Sequence, residues 1–193
     1  MRLRDHDGGD GRRVWLSGEE LGALLDVPDD TYRQIALGLL GRSGLRTDEL
    51  LRATVDDLVD GPSGQRLRVE SSKGGHYREP PVDPDTARRI EVLADVDGLD
   101  DDEIIDHAPR TIQRWVAGAA ETVAAETGDG GWPHVTPHDL RRSWGTLLLE
   151  RGVQPGLVME WGGWRDWATF REHYLGEFSP AAVSREREKV DWL

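Results

Sequence analysis

The sequence predicts an α+β chain, mainly α-helical, with one small antiparallel β-sheet. Three observations carry this prediction. Apolar residues recur at helical spacing behind capping residues, as in Ser17-x-x-Glu20 before Leu21, Leu24 and Leu25. β character is confined to one region, where Arg66-Leu67-Arg68-Val69-Glu70 alternates between two Gly-containing turns. At 193 residues the chain suits one domain with a real core, and no apolar run approaches a membrane span.

Residues 1–13 are charged and Gly-rich without periodicity, which reads as a flexible leader. The capping box at Ser17 opens the first helix. Asp29 or Asp30 starts a second through Tyr32 to Leu40, with Ile35, Leu37, Leu39 and Leu40 available for burial, and Gly41-Arg42-Ser43-Gly44 ends it. Thr47, followed by Asp48 and Glu49, opens a third through Leu50 and Leu51. Thr54 to Leu58 then reads as β, followed by a turn at Asp60-Gly61-Pro62-Ser63-Gly64 and the alternating strand. A second turn over Ser71 to Tyr77 leads to a returning strand, Arg78 to Val82, whose Pro80-Pro81 suits only an edge. Asp83 to Leu93 returns to helix, and an acidic linker spans Asp95 to Glu103. Further helices fit Pro109 to Glu126, Pro137 to Arg151, Pro155 to Trp161 and Trp167 to Leu175.

Composition narrows the chemistry. There is no cysteine, which excludes disulfides, thiolate metal sites and cysteine nucleophiles and fits a reducing cytoplasm. The start of the chain leads into polar residues rather than a signal-peptide core. The net charge of −13 runs against phosphate binding, unless acidic faces surround a local basic site or the surface is suited to a salty cytoplasm. Dispersed acids, modest aliphatic content and a strong arginine bias favour the second reading. Of the 24 Lys and Arg residues, only Lys73 and Lys189 are lysines.

Thr136-Pro137-His138-Asp139-Leu140-Arg141 is the most specific stretch. Thr136 is a good N-cap, Pro137 suits the first helical position, and His138 and Arg141 then share one face of the first turn. Amide donors and the positive end of the helix dipole point there toward an anion. A capping His138 and a surface Arg141 fit the tetrapeptide equally well. His134-x-x-x-His138 has metal-like spacing, but Pro137 interrupts it and no acidic partner accompanies it, so no metal is expected there. Arg46 lies just before a helix, where its planar fork suits two phosphate oxygens or an ion pair with Asp48 or Glu49. Lys73, in Ser71-Ser72-Lys73-Gly74-Gly75, is either a solvated turn lysine or a proton donor; arginine cannot release a proton near neutral pH. Trp164 after Gly162-Gly163 fits both a donor to phosphate and core packing.

Gly44-Leu45-Arg46, Lys73, His138-x-x-Arg141, Gly163-Trp164 and Tyr174, in this order, resemble the catalytic domain of the tyrosine recombinases, the phage-type integrases. The resemblance covers roughly Trp15 to Ser179. It implies a tyrosine-recombinase-like catalytic domain over 14–179 and a site-specific recombinase that cuts and rejoins double-stranded DNA through a 3′-phosphotyrosyl intermediate. Tyr174 would be the nucleophile, Arg46 and Arg141 the phosphate clamp, Lys73 the acid for the leaving oxygen and His138 a proton carrier, with Trp164 beside them. It implies no cofactor, and also a homo-oligomer, a tetramer on DNA and a monomer when free, with residues 180–193 as a protomer-docking tail or a helix folded back on its own domain.

Two departures stand out. Tyr174 follows Trp164 by ten residues where the family ordinarily has nine, so either an insertion near Trp167 restores register or the hydroxyl is turned by about 100°. Only 14 residues precede Trp15, where relatives carry a helical DNA-clamp domain, so the chain reads as a lone catalytic domain. A catalytically silent DNA-binding relative and a type IB topoisomerase-like nicking and religating enzyme are the competing readings.

Overall fold

The computed structural model describes residues 1–5, 12–70, 77–99, 102–173, 178 and 180–192. Strand β1 (Arg2–Asp5) pairs antiparallel with β2 (Arg12–Trp15), in register Leu3↔Val14. The flexible leader expected over 1–13 therefore contains two paired strands. Pairing with β2 orders β1, and β2 is fixed in turn by a helix far along the chain, as described below.

Helix α1 (Gly18–Leu25) starts at Ser17 with the expected capping box, Ser17 accepting from the Glu20 amide and Glu20 accepting from the Ser17 amide. Helix α2 (Thr31–Arg42) is capped by Asp30, which accepts from the Arg33 amide at 2.9 Å. Every residue from Ile35 to Gly41 is buried, so α2 has no polar face over that stretch and forms the centre of the domain. Helix α3 (Thr47–Leu50) follows after one short turn.

Thr54 to Leu58, expected as β, forms instead a 3₁₀ turn over Val55–Asp57. The Thr54 amide and hydroxyl both donate to the Asp57 carboxylate, at 2.9 and 3.1 Å, and this local bonding outcompetes extension. Strands β3 (Leu58–Gly61) and β4 (Gly64–Leu67) make a hairpin, and β5 (Val69–Glu70) pairs with β6 (Tyr77–Arg78). Leu67 N–H donates to the Pro80 carbonyl and Val82 N–H to Gln65, which extends β6 along β4 and joins the two hairpins. Pro80 and Pro81 lie on the outer strand, where missing N–H groups cost no ladder bond.

Helix α4 (Pro84–Asp97) runs past the expected boundary to Gly98, so the acidic linker begins inside a helix. Beyond it Ile104 and Ile105 are fully buried, Ile104 N–H donating to the Ala53 carbonyl. Helices α5 (Pro109–Thr127), α6 (Pro137–Glu150), α7 (Pro155–Gly162), α8 (Trp167–His173) and α9 (Pro180–Arg187) complete the chain. Helices α1, α3, α4, α5 and α6 pack around α2. A second, smaller core joins Trp144, Leu149 and Val158 to Trp164 and Phe170, and so fastens α7 and α8 to α6. Ala182 of α9 is buried, and α9 lines a cleft with Leu149, Val153 and Trp167 of the same chain. No helix among the described residues is long and apolar enough to cross a membrane.

Candidate active site

Three chain turns meet at one buried carboxylate. Glu49 sits in the first turn of α3 with its side chain 1% exposed. One oxygen accepts from Arg46 Nη1 at 2.8 Å; the other accepts from the Arg46 amide at 2.7 Å and from Arg78 Nη2 at 2.6 Å. Arg141 Nη1 is 4.0 Å from that second oxygen. Burial alone would raise the Glu49 pKa; Arg78, then Arg141 and the Arg46 amide and guanidinium, overcome it and hold the carboxyl below its ordinary value. Three guanidiniums against one carboxylate leave the cluster net positive.

Arg46 precedes α3, and its side chain keeps 33% of its surface in solvent. The ion pair with Glu49 weighed from the sequence is present, and it leaves the guanidinium an open edge. Arg141 differs from expectation. Its guanidinium is fully buried, donates to the carbonyls of Gly44 and Gly162, and lies 4.5 Å from the Trp164 ring centroid. Arg141 thus ties the turn before α3 to the end of α7 and underlies the site. Gly44 has φ +66° and faces the Trp144 ring so closely that a Cβ would lie 2.3 Å from it. Only glycine allows that turn to present its carbonyl to Arg141.

At the start of α6, Asp139 accepts from the Thr136 amide and hydroxyl through one oxygen, and from the Val14 amide at 3.0 Å and Arg142 through the other. Leu16 N–H donates to Ser143 Oγ at 2.8 Å. Strand β2 is thereby fixed to the helix that carries His138 and Arg141. His138 is exposed, yet the protein atoms crowding its ring, together with Arg142, Arg141, Arg46 and Arg13, lower its pKa to about 4. His138 is neutral at pH 7 and sits in a strongly positive field.

Trp164 is buried between Trp144, at 5.9 Å between centroids, and Phe170, at 4.4 Å, so the packing role weighed from the sequence is present. Phe170 anchors α8, whose last residue, His173, directly precedes Tyr174. Lys73 and Tyr174 both lie outside the described residues. The structure therefore brings together Arg46, His138, Arg141 and Trp164. It adds Glu49, Arg78, Arg142, Asp139 and Arg13, which sequence reasoning did not single out as site residues. Among the described residues no group of three or more His, Cys, Asp or Glu has the closeness of a metal site.

A sequence profile of the phage integrase family matches residues 14–178. The chain belongs to that family, as the ordered motifs indicated. Tyrosine recombinase XerA of Pyrococcus furiosus is 28% identical over 150 residues, covering 75% of this chain and 51% of that one. The chain spans about half the length of the curated relatives it matches. In fold it resembles the crystal structure of XerA recombinase, with TM-score 0.75 and 21% identity over 92% of this chain and 65% of the other. It also resembles the Tn1549 transposon integrase solved in complex with transposon right end DNA, with TM-score 0.67 and 15% identity over 97% of this chain and 68% of the other.

Proposed function

We propose that the chain is the catalytic domain, over 14–179, of a site-specific recombinase that cuts and rejoins double-stranded DNA. The observation that carries this reading is local charge inversion. In a chain of net charge −13, four arginines bear on the single imidazole at the start of α6. A helix N-terminus, a neutral base and clustered guanidiniums suit a phosphodiester whose charge grows in the transition state.

In this reading the Tyr174 oxygen forms a bond to phosphorus as the P–O5′ bond breaks. Lys73 supplies the proton that leaves with the 5′-oxygen, and neutral His138 accepts the tyrosine proton. Arg46 offers its open edge to a non-bridging oxygen. Arg141 stabilises the same charge from beneath, its buried guanidinium already donating to the Gly44 and Gly162 carbonyls. A 5′-hydroxyl then attacks the phosphotyrosine, and the bond energy is conserved without ATP. The active form is a DNA-bound homo-oligomer in the cytoplasm, four protomers on two sites, and its acidic surface suits a salty solution. Docking of the 180–193 segment on a neighbour requires α9 to leave the cleft it lines with Leu149, Val153 and Trp167.

One observation favours a second reading, a DNA-binding relative that does not cleave: both terminal nitrogens of Arg141 are engaged by carbonyls. One experiment separates the two. Wild type and Tyr174→Phe are incubated with nicked duplexes of randomised sequence and resolved on a denaturing gel. A covalent adduct with wild type alone supports cleavage by Tyr174. An adduct with both assigns the wrong tyrosine, and adducts with neither, across a range of salt, favour the silent relative.

A further inference from the structure

Arg78 is not part of the phosphate-binding set, yet it is buried at the site with both terminal nitrogens bonded. It ends β6, with its side chain only 2% exposed. Nη2 donates to Glu49 and Nη1 to the Trp161 carbonyl in α7. Its stem runs under Gly163, where a Cβ would lie 2.9 Å from Arg78 Cδ and where φ is +66°. One side chain therefore joins strand β6 to the carboxylate that holds Arg46 and to the turn that delivers Trp164.

We propose that Arg78 is a positioning residue that locks strand β6 to the arginine cluster and to the turn before Trp164, so that Arg46, Arg141 and Trp164 share one fixed geometry. The assignment rests on the strand-cleavage reading for its consequence, but not for its geometry. Burying a guanidinium is unfavourable, and Glu49 offsets that by charge and hydrogen bonding. A guanidinium can span two acceptors on different elements because its fork is planar and wide. An ammonium at the same place keeps the charge but cannot hold both.

The test is Arg78→Lys in the full chain, with Arg78→Met/Glu49→Met as a second variant that replaces the buried pair by apolar side chains. Both should keep the wild-type circular dichroism. Adduct formation on a nicked duplex should fall about 10- to 100-fold in each, as for groups that orient a reacting residue. In Arg78→Lys, duplex affinity by anisotropy should change by less than about threefold, since the Arg78 side chain is buried. A merely structural residue would instead give activity that returns with stability in the double variant; that recovery, or Arg78→Lys within twofold of wild type, overturns the proposal. A second arm needs no cleavage. The His138 imidazole, assigned by His138→Gln, is titrated by NMR, and loosening Arg46 and Arg141 in Arg78→Lys should raise its midpoint by about half a unit or more. An unmoved midpoint overturns the assignment on its own. Wild type that forms no adduct overturns the cleavage reading and leaves the titration to decide Arg78.

Discussion

At the scale of single residues, the site depends on one carboxylate more than on any one cation. Glu49→Gln keeps the shape of the side chain but leaves Arg78 buried without a countercharge. The expected cost is about 3–5 kcal/mol, read by urea denaturation, and a loss under about 1 kcal/mol would count against the cluster being closed around Glu49. Acid should act at two separate groups. The His138 pKa lies below its ordinary 6.5, at about 4, so between those values the unfolded chain binds the proton that the folded chain refuses. Stability therefore falls as pH drops through that window, and His138→Gln should flatten the slope there while leaving the loss below it. Glu49, also depressed, contributes stability above the ordinary carboxyl range that disappears only at lower pH. Phosphate next to His138 would oppose its shift. Duplex affinity should accordingly tighten as pH falls from about 7 toward 5 at fixed salt, and affinity independent of pH would argue that no phosphate sits beside the imidazole.

At the scale of elements, the start of α6 joins two distant parts of the chain. Asp139→Ala removes the acceptor for Thr136, for Arg142 and for the buried Val14 amide. The loss should be roughly 2–4 kcal/mol, with β2 amides gaining hydrogen exchange ahead of α2; uniform exchange would mean that β2 does not depend on this helix. Ser17, Asp30 and Thr136-Pro137 mark helix starts because a cap acts within three residues of itself, and those starts are where the sequence reading put them. Pairing of β1 with β2 was not legible, since four residues without alternation carry no strand signal. Arg78 was invisible for a related reason. Its acceptors are 29 and 83 residues away, and nothing in Tyr77-Arg78-Glu79 indicates burial. Arg46, His138, Arg141 and Trp164 were legible through their order along the chain. That Arg141 is spent on two carbonyls could come only from the packing of Gly44 and Gly162 against it.

At the scale of the whole molecule, net charge and local charge pull in opposite directions with salt. A surface carrying −13 repels itself, and screening relieves this as the Debye length falls from about 10 Å at 0.1 M to about 3 Å at 1 M. The buried Glu49 cluster is shielded from solvent and is little affected. Raising KCl from about 0.1 to 2 M should therefore raise the melting temperature of the free chain, and a flat or falling trend would show that dispersed acids do not limit its stability. DNA binding should respond in the other sense. Each phosphate neutralised by arginine releases counterions, so log affinity falls linearly with log salt even as the fold gains stability. In the cleavage reading the phosphate contacts are the few arginines beside His138, so the slope should be shallow, of order −2 to −4 for a handful of phosphates. A slope near −10 would place the chief DNA contacts on a basic surface elsewhere. A shallow slope would mean that a compact arginine cluster, rather than a broad basic face, is how so acidic a chain approaches DNA.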